Sequence, residues 1–115
     1  MVNDVSGPPG KPVGAEAPRS GWQTIAGTES VVKMVDALLS LPPKREFNQS
    51  ELAEFADISR KSVHTHLPRL KDIGIITEVP ESTPTRYRFD TDSEVAKQLI
   101  KLDGAVNNAK EQPPA

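Results

Sequence analysis

The chain has no cysteine, which excludes disulfides and thiolate metal sites. Aromatics are scarce, with one tryptophan, one tyrosine and three phenylalanines among 115 residues, so its core must be aliphatic and modest. A small core of this kind gains from a second subunit. No apolar run is long enough to span a bilayer, and Lys33 and Asp36 interrupt the best candidate. The first residues lack the apolar stretch of a secretory signal. There is no strong charge of either sign: the formal net charge is -2, which neither announces nor forbids nucleic acid, because binding depends on where charges lie. No glycine-rich phosphate loop and no nucleophile motif is present. His64 and His66 are two residues apart, so on a helix they point in different directions and do not share a metal. His66, at the margin of an apolar stripe, reads as a packed, hydrogen-bonded residue, and Asp90 and Asp92 as helix caps rather than an acid/base pair. These absences describe one small, soluble, cytoplasmic domain that is not an enzyme and carries no cofactor or metal.

What is present is organised around residues 58–74. At 3.6 residues per turn Val63, Leu67 and Leu70 stack on one face, with Ile73 at its edge. Ser59 stands where an N-cap belongs and Gly74 where a left-handed stop belongs. Away from the stripe lie Arg60, Lys61, His64, Thr65 and Lys71, with Asp72 near the far end. Cations and short donors in this order suit a helix that enters a DNA major groove. The same face also suits an ordinary solvated helix, and the flanking sequence decides between them.

Residues 1–21 form a flexible tail in which Pro8, Pro9, Pro12 and Pro18 alternate with Gly7, Gly10, Gly14 and Gly21. Trp22 and Ile25 open the ordered part, with the tryptophan covering a core edge. Thr28 caps a helix running to about Leu41, whose broad apolar face includes Val31, Val35 and Leu38, and Pro42 and Pro43 stop it. Lys44, Arg45 and Glu46 are a polar connection. Asn48 and Glu51 make a capping-box pattern for a short helix that turns Leu52, Phe55 and Ala56 inward. Asp57 and Ile58 turn the chain into the basic helix, and two helices joined so tightly make a helix-turn-helix.

Beyond Gly74, Ile75 to Val79 is β-prone, Pro80 to Pro84 is a loop, and Thr85 to Phe89 alternates at period two. This is a β-hairpin with Tyr87 and Phe89 on the core and Arg86 and Arg88 outward. Thr91 and Glu94 cap a last helix, in which Val95, Leu99, Leu102 and Val106 form a coiled-coil-like seam that Gly104 weakens or ends. The organisation is thus a tail at 1–21, a domain at 22–91, a helix at 92–108 and a second tail at 109–115.

The order of helices, hairpin and last helix resembles that of winged helix-turn-helix transcriptional regulators, and is most like small archaeal members. The run from Phe47 to Leu67 resembles the family's helix-turn-helix segment, and Ile73 to Ile76 with Thr85 to Phe89 resembles its helix end and wing. The fold class expected is mainly α with a small β-hairpin (α+β). The resemblance implies sequence-specific binding to double-stranded DNA, usually as a homodimer, with the helix from Ser59 to Ile73 in the major groove. Ser59, Arg60, Lys61, Ser62, His64, Thr65, Arg69 and Lys71 would meet DNA, and Arg86 and Arg88 would meet phosphates from the wing. The seam of Val95, Leu99, Leu102 and Val106, with Trp22, would join two copies; the alternative is that the last helix folds back and only closes the core of a monomer. Two departures stand out: Pro68 lies inside the basic helix, and Glu78 and Glu81 dilute the wing's charge. Between Lys44 and Arg88 there are eight cations and seven acids, so any selectivity must come from clustering. The alternative is a winged-helix protein-interaction module.

Overall fold

The computed structural model describes residues 20–111, so the expected tails lie outside the described residues except at their inner ends. Five helices and three short strands follow in the order α1 (Gly21–Ala26), α2 (Glu29–Ser40), β1 (Glu46–Phe47), α3 (Gln49–Ala56), α4 (Arg60–Asp72), β2 (Ile76–Glu78), β3 (Tyr87–Phe89) and α5 (Glu94–Glu111). α2, α3 and α4 enclose the core, and the antiparallel sheet, in the order β1-β3-β2, closes one side. This is a winged helix-turn-helix of the α+β class.

The local chemistry explains the breaks between elements. Ser20 caps α1 by accepting a bond from the Gln23 N–H at 3.1 Å; this helix is not expected from sequence, because six residues are too few to show a period. Thr28 stands at the start of α2 as expected, but its side chain makes no capping bond. The capping box of α3 is complete: the Glu51 N–H donates to Asn48 Oδ1 at 2.8 Å, and the Asn48 N–H donates to Glu51 Oε1 at 2.9 Å. Asp57 ends α3 in the left-handed region at φ 58, which reverses the chain within two residues. Ser59 then caps α4 by accepting from the Ser62 N–H at 3.0 Å. Gly74 takes φ +86 behind α4, where a Cβ would lie 3.3 Å from that of Ser93.

The core is aliphatic, as the composition requires. Met34, Leu38, Leu52, Val63, Leu70 and Ile75 are fully enclosed with Phe47, whose ring stacks on Tyr87 at 6.5 Å between centroids. Several expectations are corrected. Phe55 is exposed rather than inward, and the Arg45 guanidinium lies over its ring at 5.3 Å. Glu46, read as connection, belongs to β1, so the expected two-stranded wing is a three-stranded sheet with Glu46 opposite Arg88 and Phe47 opposite Tyr87. Two residues carry too little alternation to register as a strand. Ser93, not Thr91, caps α5: its hydroxyl accepts from the Ala96 N–H at 3.1 Å and donates to the Gly74 carbonyl. α5 continues past Gly104 to Glu111, beyond the expected end at 108, because a single glycine costs a helix only about 1 kcal/mol. Trp22 covers no core edge and is 64% exposed. No helix among the described residues is long and apolar enough to cross a membrane.

Candidate nucleic-acid interface

α4 is positioned by the stripe that the sequence prescribes. Val63, Leu67 and Leu70 are buried, which fixes the rotation of the helix and turns Arg60, Lys61, His64, Thr65, Pro68, Arg69 and Lys71 to the surface. Lys61, His64, Thr65 and Pro68 follow at i, i+3, i+4 and i+7, one outward stripe along the helix. Among the described residues none of Arg60, Lys61 and Arg69 makes an ion pair, so their charges are available to an anion. Ser59 and Ser62 differ from these. Their hydroxyls bond each other at 3.1 Å, and that of Ser59 also completes the cap.

Each flank of α4 borders a cleft. On the wing side Arg60 and His64 share a cleft with Asn48, Gln49 and Ser50 of the α3 start and with Pro84, Thr85 and Tyr87 of the wing. On the other side Thr65, His66 and Arg69 line a cleft with Thr24, Thr28 and Val31. A strip of donors thus runs from the α1–α2 junction across α4 to the wing loop. Arg60 also borders the turn between α3 and α4, where Glu54 and Asp57 add negative charge.

Two of the cations among the expected contact residues are paired within the chain. Lys71 reaches Glu78 on β2, Nζ to Oε2 at 3.1 Å. Arg86 is held by Glu46, Nε to Oε1 at 3.3 Å, and by Glu51, Nη2 to Oε1 at 3.6 Å. Its Nη2 also donates to the Glu46 carbonyl at 3.2 Å. Arg88, half-buried two residues on within β3, makes no ion pair among the described residues. The clamp on Arg86 was missed in the sequence because Glu46 reads as loop. Its one legible trace was Glu51, already assigned to a cap.

The seam residues of α5 divide. Leu99 is buried and Val95 packs against the core, whereas Leu102 and Val106 remain 47% and 49% exposed. With Trp22, Ile25, Val32, Val35 and Leu39 they line an apolar groove between α1, α2 and α5, bordered by Asp36 and Asp103. The groove was legible only in part, since α1 was not expected as a helix.

Residues 48–77 match a family model described as winged helix-turn-helix DNA-binding, a stretch from the cap of α3 through α4 to β2. No curated protein matches the chain.

Proposed function

We propose that this protein binds double-stranded DNA sequence-specifically and regulates transcription, with α4 in the major groove. The observation that carries this reading is the outward face of α4, where Arg60, Lys61 and Arg69 have no ion-pair partner among the described residues and surround His64 and Thr65. Arg60 and Lys61 in the first turn reach phosphates, and Lys61, His64 and Thr65 on the outward stripe meet base edges. Arg69 extends the strip towards the next phosphate, with Ser59, Ser62 and Lys71 at its margins. Arg88 brings the wing to the backbone on the other side. The chemistry is recognition, with no catalytic step. Titration of duplex DNA at several salt concentrations tests the proposal. Affinity should fall steeply with salt and should exceed that for random duplex at every concentration.

The reading includes a homodimer. A single α4 reads one half-site, and two copies related by a two-fold axis read half-sites about one helical turn, roughly 34 Å, apart. The groove of Trp22, Leu102 and Val106 supports the pairing, because monomers rarely leave so many large apolar side chains in water together. Val95 and Leu99 contribute to the interface from beneath, by holding α5 against the core. Residues 22–91 then act as the reading domain and α5 as the joining element. The same groove also favours the second reading, a winged-helix module that binds another protein. Absence of any duplex binding at low salt would select that reading instead.

A further inference from the structure

We propose that Arg86 is a positioning residue: it ties the wing to the start of α3, and the phosphate contact of the wing belongs to Arg88. The inference rests on the DNA-binding reading given above. The wing sheet is very small, with two residues in β1 and three each in β2 and β3. Strands this short hold their orientation only with help from packing or side chains. Phe47 and Tyr87 supply that help on the inner face. On the outer face the help is Arg86, whose planar guanidinium meets the Glu46 carboxylate, the Glu46 carbonyl and the Glu51 carboxylate at once, at 3.3, 3.2 and 3.6 Å. These partners lie on two different elements, β1 and α3. The Glu51 oxygen that faces Arg86 is the one that accepts the Asn48 N–H in the capping box. The fork of one arginine therefore joins the residue leading into β3 to β1 and the first helix of the helix-turn-helix, which lysine's point charge does not do.

Charge makes the same assignment. A guanidinium flanked by two carboxylates is already neutralised, so it releases few counterions when a phosphate approaches. Arg88 stands two residues further on, within β3, level with Glu46 on one side and Thr77 on the other, and makes no ion pair among the described residues. If Arg86 sets the angle of the wing, the contact made by Arg88 depends on Arg86 and on Glu46.

The test is a set of neutral variants, Glu46→Gln, Arg86→Gln, Arg88→Gln and the double Arg86→Gln/Arg88→Gln, followed by duplex binding against salt. A positioning role predicts that Glu46→Gln weakens binding although it removes a negative charge. It also predicts that each single arginine variant lowers the salt slope by about 0.9, the value of one phosphate, and that the double variant lowers it no further. Two independent phosphate contacts predict the reverse: Glu46→Gln binds more tightly and the slope losses add to about 1.8, and either result overturns the proposal. Amide hydrogen exchange without DNA gives a second readout. Exchange at the β1–β3 pairing should accelerate in Glu46→Gln and Arg86→Gln while α4 stays protected. Unchanged exchange in both variants would refute the tie even if the wild-type protein bound no duplex, an outcome that would count separately against the DNA-binding reading.

Discussion

Single residues in this fold have separable jobs. His64 stands on the outward stripe of α4 beside the wing cleft, exposed and with no role in the core. His64→Ala should therefore leave stability unchanged and reduce discrimination between operator variants by about 1–3 kcal/mol, the scale of one good base contact. Competition binding with single-base variants measures it, and an equal loss on random duplex would mean that the side chain meets only the backbone. The two glycines near α5 should respond with opposite signs. Gly74 holds φ +86 with Ser93 close behind it, so Gly74→Ala should cost about 1–2 kcal/mol. Gly104 lies inside α5 with nothing within 4 Å of a Cβ, so Gly104→Ala should stabilise by about 0.5–1 kcal/mol. Chemical denaturation of the pair, at one protein concentration, tests both.

At the scale of elements, α4 contains its own irregularity. Pro68 is exposed in the middle of the helix, where it removes the N–H that would bond the His64 carbonyl and sets its ring against that carbonyl. An interior proline costs a helix up to about 3 kcal/mol, partly offset by its stiffening of the unfolded chain. Pro68→Ala should then raise the unfolding free energy by about 1–2 kcal/mol, and a fall would show that the proline is accommodated without loss. How much of this was legible follows from how each element is specified. α2, α3 and α4 are set by strong local signals (apolar period, Asn48 and Ser59 caps, Gly74 stop), and the sequence shows all of them. α1 and β1 are set by what they pack on, so two to six residues carry no readable period. The cap of α5 lies two residues beyond the expected Thr91, which also fits the capping-box spacing. Ser93 wins because its hydroxyl also bonds the Gly74 carbonyl, a contact between residues nineteen apart in sequence. The outward stripe of α4 could be inferred from sequence, whereas the clamp on Arg86 could not, since it depends on β1 being a strand.

At the scale of the whole molecule, the decisive feature is the uneven burial of α5. Its first two turns put Ala96 and Leu99 into the core, and every residue from Ile100 to Glu111 is exposed. Leu99→Asp would place a charge in the protomer's own core and unfold it, so it says little about assembly. Leu102→Asp is the informative variant: the protomer should stay folded, sedimentation should show it as a monomer, and specific DNA affinity should drop as two linked half-sites become one. A wild-type protein that sediments as a folded monomer at micromolar concentration would end the dimer proposal.

The overhang of α5 has a spectroscopic consequence. A helical segment without tertiary support is marginal in water, because few backbone bonds offset the entropy of ordering it. The distal turns should therefore be helical where a second copy covers them and should melt where it does not. Diluting the protein through its dissociation range should then lower the ellipticity at a wavelength near 222 nm without lowering protection at the core amides. Leu102→Asp should show the diluted signal at every concentration. The distal turns of α5 would thus act as a built-in gauge of assembly, readable without any label.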